Sequence, residues 1–519
     1  MKDVSGNGKV NHTNIFAEDF ISPRQERRTN KRKVRLTTEH AKQRVSEIGG
    51  ASTAARLAAE VEKKIGKPIK CIGNKWYVFD GCKWKLGDRN NYLPIAWEVQ
   101  LPENRNHRRA EDVLRTIEAQ RQLREGESFV WALNSNVMKS SGSYLLNFPN
   151  CVLQIDNESG KVVRKLEHSP DYMFTTSLSG CYYEDRENND GTNDEDFKQT
   201  LCEVLPRKED RVLFLDFCTS ALLPDSRFQC ALFCIGNGSN GKSVLTEAIA
   251  SAFGEETRSA LRLHQICGAD NGKHLWRLAG KLINISTETE NRVIEDNSNF
   301  KSIVSGEPFD TARLYMEGFT MQTNVKLISS SNHQPMFKYG TDADDRRVRI
   351  IPFTIKFTED NMDLMLREKL LEQKDGIISY LVRRLKKLCA KIELSKGSLV
   401  SQKAMQSFKV SNNIIGLFFE QCIENATHQS LPKAEIWQVF NCFCREKNES
   451  VRFSYDTFFR LVKKSFPTLS EYRVHTRKHG RPYCYKGVTL SDYGFWLLSQ
   501  NSKIRRLHSE RLGTHSSGN

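Results

Sequence analysis

The stretch CALFCIGNGSNGKSVLTEAIASAF, residues 230–253, carries the densest chemistry in the chain. Gly236, Asn237, Gly238, Ser239, Asn240, Gly241, Lys242 and Ser243 fit the pattern GxxxxGK[ST]. Glycines let the backbone curl so that N–H groups face phosphate oxygens at the positive end of a following helix. In such a loop Lys242 would reach the β- and γ-phosphates of a triphosphate, and the Ser243 hydroxyl would hold Mg2+. Chance glycine-rich turns do match this pattern. Here, however, an apolar strand, Leu232 to Ile235, enters the loop and an amphipathic helix leaves it, which is the setting the chemistry requires.

A phosphate cradle needs an acid on a neighbouring strand to hold the metal and polarise water. The run Lys281-Leu-Ile-Asn-Ile-Ser-Thr-Glu288-Thr-Glu290 is β-prone and ends in two carboxylates, so either Glu288 or Glu290 suits that role, with Glu288 also a candidate Mg2+ ligand. Taken alone, such acids are ordinary solvated strand ends. A third strand, Lys326-Leu-Ile-Ser-Ser, runs into Ser331-Asn332-His333-Gln334-Pro335. The Asn332 amide can both donate and accept hydrogen bonds, and so can touch a γ-phosphate and orient water; asparagine before a turn is otherwise a turn former. Arg346 or Arg347, in DADDRRVRIIPF, can stabilise charge on a departing phosphate as a finger from a neighbouring subunit. The plainer alternative is ion pairing with the three nearby aspartates.

These side chains need a scaffold that brings several strand ends together. From Gln229 to Phe357 strand-like and helical segments alternate, which implies an α/β core with a mainly parallel sheet. Upstream, Phe197 to Leu223 has helical spacing punctuated by Pro206 and Pro224, and before it lie short β-rich pieces such as CIGNKWYVFDGCKWK, with a hairpin expected at Asp80-Gly81. Trp76 and Trp84 there read as packing residues rather than base-stacking platforms. Residues 361–390 form an amphipathic helical stretch. Residues 400–490 mix helices with a closing β-like pair, EYRVHTRKHGRPYCYKGVTL, an order that suits a small winged helix.

Charge is distributed unevenly around this engine. Of a net +15, residues 1–50 hold 11 Lys/Arg against 6 Asp/Glu, residues 391–519 hold 20 against 10, and residues 51–390 hold 47 of each. Basic ends around a neutral centre suit a nucleic-acid partner, with solubility as the bland alternative. The run Lys31-Arg32-Lys33-Val34-Arg35 reads as part of a basic arm that brushes phosphates, or as a nuclear import signal. The absence of a signal-peptide core points to a protein that stays where it is made. No run reaches the roughly 18 apolar residues of a membrane span, so no membrane partner is expected. Fourteen cysteines without a CxxC pair read as reduced thiols. Cys442 and Cys444 lie two apart on an expected helix, so their side chains diverge by about 200° and cannot share a zinc ion.

Taken in order, GNGSNGKS, LAGKLINISTETE, FKSIVSGEPFDTARLYMEGF, KLISSSNHQP and DADDRRVRIIPF resemble the superfamily-three helicase core. More narrowly they are similar to the phage and plasmid primase-helicases and the poxvirus primase-helicase. The resemblance implies an AAA+-like P-loop NTPase core over 197–395. A flexible basic arm (1–60) and a mixed α+β collar-type domain (61–196) would precede it, and a winged-helix domain (396–490) and a basic tail (491–519) would follow. It implies ATP and Mg2+ as cofactors, 3′ to 5′ movement, and a homo-oligomeric ring, expected to be a hexamer, on single-stranded and forked DNA. It assigns Lys301, Gly306 and Arg313 to a motif peculiar to this superfamily, and the segment after Arg313 to a hairpin that grips DNA. For that hairpin the residues suggest a turn at Glu317-Gly318, with Arg313 and Tyr315 offering phosphate and stacking contacts. Met316 and Glu317 stand where the family often has a basic residue. Arg473, Arg477 and Lys478, with His475 and Arg481, would line a DNA-contacting wing. About 60 residues before the collar-type region are too few for a primase fold, so a separate primase or primase-polymerase is the expected partner. An origin-binding initiator that uses ATP as an assembly switch is the rival reading.

Overall fold

The computed structural model describes residues 53–124, 127–134, 142–184, 194–268, 272–287, 293–294, 296–313, 317–337, 345–358, 363, 365–447, 454–473 and 483–499. They fall into two compact units. The first takes the described residues up to 287 with 296–333 and 347–401, and the second takes 293–294, 334–337, 345–346 and those from 402 onward.

In the first unit a five-stranded sheet has the spatial order Val348–Pro352, Ala231–Ile235, Lys326–Ser331, Ile283–Thr287, Arg258–Ser259, with every pair parallel. Its central strands are buried on both faces, as ALFCI and even KLISSS show, because helices cover each side. Asn284 secures the edge: its Oδ1 accepts from Leu261 N at 2.7 Å and Ser259 Oγ at 2.8 Å, and its Nδ2 donates to the Leu261 carbonyl. Helices Lys208–Ser220, Lys242–Phe253 and Lys374–Cys389 pack through one apolar core that includes Phe214, Phe217, Ile249, Phe253, Ile377 and Leu381.

Upstream, strands Ile69–Ile72, Lys75–Phe79 and Trp84–Gly87 form an antiparallel sheet, and the expected hairpin turns at Asp80, whose Oδ1 accepts from Cys82 N and Lys83 N. Trp76 and Trp84 are both buried, their indole N–H groups donating to Glu118 and to the Pro170 carbonyl. A second antiparallel sheet orders Leu133–Asn134, Ser143–Asn147, Val152–Asp156 and Val162–Leu166. Three expectations shift. Residues 53–65 are helical and bury Leu57, Ala58 and Val61, so the expected 1–60 arm takes in part of a packed helix. The core also runs without a break across 196/197: Tyr144, Phe148 and Leu153 belong to the same cluster as Phe197 and Phe253. The helical stretch expected over 361–390 is split into Leu366–Glu372 and Lys374–Cys389. Gln373 lies at the break, accepting from Phe197 N at 3.0 Å and donating to Asp196 at 2.6 Å. Asp216, the one charge in the apolar run 212–223, is buried between Arg384 and Lys391.

The second unit contains helix Ile414–Cys422, strand Ile423–Pro432, helices Lys433–Glu446 and Tyr455–Ser465, strands Glu471–Arg473 and Tyr483–Leu490, and helix Asp492–Ser499. Tyr483–Leu490 is the middle strand of an antiparallel three. The core centres on Phe418, which meets Phe440, Phe443 and Phe458 edge-on at 5.3–6.3 Å. The strand IENATHQSLP carries no alternating pattern; only pairing across the sheet makes it a strand. The fourteen cysteines are all free thiols. No helix among the described residues is long and apolar enough to cross a membrane.

Phe418→Ala should destabilise the second unit by about 3–5 kcal/mol, the cost of an unfilled aromatic cavity, read as a loss of denaturant midpoint. Lys326 is buried at the start of its strand, donating to the Asp225 and Asn324 carbonyls at 2.7 and 3.0 Å, and burial lowers its pKa from 10.5 to about 8. Between those values the unfolded chain holds more protons than the native one, so stability from this group rises with pH. Wild-type unfolding free energy should therefore gain on that of Lys326→Met by up to about 3 kcal/mol between pH 8 and 10.5, measured by denaturant titration.

Candidate functional site

The strand Ala231–Ile235 delivers the chain to the loop 236–241, and helix Lys242–Phe253 begins at once. Gly238, Ser239 and Gly241 have φ of 79°, 43° and 76°, so the loop folds back on itself through left-handed conformations. Gly241 is fixed doubly: a Cβ there would lie 2.4 Å from Val204 Cγ2. A Cβ on Gly236 would lie 2.3 Å from Asn240 Nδ2 and 2.5 Å from the Phe353 carbonyl. Asn240 braces the loop from inside, donating to the Phe353 carbonyl at 3.3 Å and accepting from Lys242 Nζ at 3.0 Å. Lys242 is 6% exposed, and its ammonium also donates to the Gly236 carbonyl. Burial lowers the Lys242 pKa. The helix has no side-chain cap and no acid in its first turn. Asn240 Oδ1 accepts from Lys242 N at a long 3.5 Å, and with no acid in its first turn the positive end of the helix faces the loop, the arrangement that attracts an anion.

The loop forms the floor of a cleft of ≈ 1040 Å³. One wall is made by Thr287, Ser330, Ser331, Asn332 and His333 at the ends of two adjacent strands. Parallel pairing sets these ends level, with Thr287 opposite Ser330 and Ser331 opposite Ile235. Helix Glu195–Val204 contributes Asp196, Gln199, Thr200 and Glu203, a single face at helical spacing. The mouth is crossed by two ion pairs, Arg367–Glu247 at 2.5 Å and Lys369–Asp363 at 2.8 Å. The cleft opens at the carboxyl ends of the strands, where the sheet order reverses, the general ligand position in open α/β sheets. Asn332 is exposed within it, and Ser243 is exposed on the first turn of the helix. Glu288 and Glu290 lie outside the described residues, although Thr287 immediately before them lines the wall. His333, Thr287 and Ser330 were not singled out from sequence. Hydroxyls at strand ends were the available signal, but nothing local tells which strands lie side by side.

The two arginines part company. Arg347 is 6% exposed and both Nε and Nη2 donate to Ser305 Oγ, at 3.1 and 2.8 Å. That is a correction: a guanidinium held this way inside its own unit cannot reach a second subunit, whereas Arg346 is exposed. A hairpin pairs Phe309–Ala312 antiparallel with Gly318–Met321, so its first strand lies before Arg313, whereas the hairpin was expected after it. Gly318 belongs to the second strand, paired with Ala312, rather than to the turn expected at Glu317-Gly318. Tyr315 and Met316 lie outside the described residues. Arg313 is half-buried, its guanidinium 4.9 Å from the Trp276 ring centroid. Lys301 is half-buried on helix Ser298–Ser305, and Gly306 ends that helix.

In the second unit Arg473 is exposed, while His475, Arg477, Lys478 and Arg481 lie outside the described residues. Helix Tyr455–Ser465 lies where a helix was expected, but sequence reasoning did not single out its exposed cations: Phe458, Phe459, Leu461 and Val462 are buried and Arg460, Lys463 and Lys464 are exposed. No cluster of three or more metal-ligating side chains occurs among the described residues.

Residues 54–206 match the family described as D5 N terminal like, residues 234–347 a family of unknown function, and residues 412–492 the RFX DNA-binding domain. The chain is 25% identical over 391 residues to a candidate helicase of Acanthamoeba polyphaga mimivirus, covering 64% of this chain and 39% of that protein. It is 21% identical over 235 residues to a candidate primase of African swine fever virus, covering 44% and 23%. A candidate helicase of Invertebrate iridescent virus 3 is 26% identical over 200 residues, covering 36% and 20%. The chain thus spans about two fifths or less of the length of these relatives. Among solved structures, the C-terminal region of NrS-1 aligns over 83% of this chain and 98% of that one, at 13% identity and a TM-score of 0.46. The sequence likeness is to viral helicase and primase proteins.

Gly241→Ala should cost about 1–3 kcal/mol for a side chain at positive φ and should abolish triphosphate binding by displacing the loop from Val204. Thermal unfolding and titration with a fluorescent nucleotide measure the two effects.

Proposed function

We propose that this chain is the motor portion of an ATP-driven DNA helicase of the superfamily-three type, with an AAA+-like core, a preceding collar-type region and a C-terminal winged helix. The observation that carries the reading is the convergence of the braced Gly236–Ser243 loop, Thr287 and Asn332 on one cleft. The triphosphate would lie on the uncapped helix end, with Lys242 leaving its carbonyl partners for phosphate oxygens. Mg2+ would be held by Ser243 with Glu288 and would neutralise charge on the β- and γ-phosphates. Either Glu288 or Glu290 would take a proton from the attacking water. Asn332 would orient that water by accepting and donating hydrogen bonds.

The reading further holds that the chain forms a ring, a hexamer, in which Arg346 reaches the neighbour's cleft. Exposure of Arg346 beside a buried Arg347 supports this choice of finger. The 309–321 hairpin would move along one DNA strand as the cleft cycles, and primers would come from a separate primase or primase-polymerase. One specific observation favours the rival, an ATP-switched origin-binding initiator: the match of residues 412–492 to a DNA-binding domain.

Lys242→Ala should abolish hydrolysis stimulated by single-stranded DNA and displacement of a labelled strand from a fork. Arg346→Ala should lose at least tenfold in kcat with little change in stability, and mixing it with Lys242→Ala subunits should restore part of the activity. A switch would instead keep its modest unwinding when Lys242 is replaced, and a ring without a shared site would gain nothing from the mixture.

A further inference from the structure

One face of the second unit carries a continuous run of aromatic rings and cations. Tyr455 packs on Phe459 with centroids 4.8 Å apart. Lys433 Nζ sits among Phe459, Tyr483 and Tyr485, at 4.9, 5.7 and 5.3 Å from their centroids, and is held there by Glu471 at 2.8 Å. Arg473 lies 4.4 Å over the Tyr483 ring and donates to its hydroxyl. The interior members are buried or capped, whereas Tyr455 is 40% and Tyr483 47% exposed. Lys463 is exposed on the helix that carries Tyr455.

This surface is better equipped for unpaired bases than for a duplex. An exposed tyrosine ring offers its π-face, which a base can cover only when it is unstacked from its neighbours. A helix reading a major groove uses its N-terminal residues. Here that turn offers Ser454 and Asp456: Ser454 Oγ accepts from Thr457 N in capping the helix, and Asp456 repels phosphate. Arg473 covers one face of the Tyr483 ring, so a base would stack on the planar guanidinium or on the ring's other face, and the arginine adds a charge that a phosphate can approach.

We propose that the second unit binds single-stranded nucleic acid by stacking bases on Tyr455 and Tyr483, with Arg473 and Lys463 contacting the backbone. The strip is a site additional to the hairpin, and it rests on the reading that DNA is the partner. The test uses the full chain and an oligonucleotide containing 2-aminopurine, free and annealed. In wild type, binding the single strand should quench the fluorophore. Tyr483→Ala and Tyr455→Ala should each remove quenching and weaken single-strand binding about 5- to 100-fold, leaving duplex affinity unchanged. Tyr483→Phe should retain stacking and bind within about twofold, because it keeps the ring and loses only the hydroxyl. Equal losses on single strand and duplex, or unaltered quenching in both alanine variants with native unfolding profiles, overturn the proposal. A wild-type chain that binds neither form overturns instead the DNA-motor reading beneath it.

Discussion

The cleft depends on how tightly residues 236–241 can be folded against what surrounds them. Val204 closes on Gly241 from one side, and the end of the strand Val348–Pro352 closes on Gly236 from the other, through Phe353 and the Asn240 amide. A loop with ordinary side chains would be pushed off both surfaces, and the helix behind it would no longer aim its N–H groups into the cleft. Lys242 adds the second half of the constraint. Its ammonium is buried among carbonyl and amide oxygens that satisfy it only in part, and its lowered pKa reports that cost. An anion at the helix end, as the proposed function has it, would relieve that cost.

The rest of the first unit holds this geometry still. The same apolar core reaches from Tyr144 through Phe253 to Leu394, so the upstream β-region packs as part of the wall behind the loop rather than as a detached module. Helix Glu195–Val204 shows how one element serves both ends. Phe197, Leu201 and Val204 lock it into the core, Val204 meets Gly241, and its polar face lines the cleft. Buried charges reinforce the same joints. Asp210 accepts three hydrogen bonds from Ser398 and Ser401, and Asp216 draws Arg384 and Lys391 onto the helix it belongs to. Each carboxylate is satisfied only when distant segments are in place, which couples them to the fold.

The second unit solves a different problem. Its core sets six phenylalanines among aliphatic side chains, and edge-on contacts around Phe418 give several favourable ring pairs. Filling the interior with rings leaves others at the rim, and Tyr455 and Tyr483 are kept there beside ordered cations. That juxtaposition distinguishes this face from a merely solvated basic one.

Much of this was legible in the residues themselves. The glycine-lysine loop, its strand and helix, the parallel α/β core, the Asp80 hairpin and the packing role of Trp76 and Trp84 all follow from local rules: positive φ needs glycine, fully buried strands are uniformly apolar, and helices keep a 3.6-residue period. The local rules failed where partners far away in sequence decide. Ile423–Pro432 is a strand because Tyr483–Leu490 pairs with it, and the break at Gln373 exists because Phe197 and Asp196 occupy its amide. Adjacent arginines look alike in sequence, yet Ser305 takes one into the interior and the other remains outside. Sequence by itself determined the glycine-lysine loop with its flanking strand and helix, since these depend on backbone freedom and side-chain chemistry within a few residues. Only the tertiary structure decided which side chains share the cleft and which are consumed in packing, since hydrogen bonds and burial act between neighbours in space.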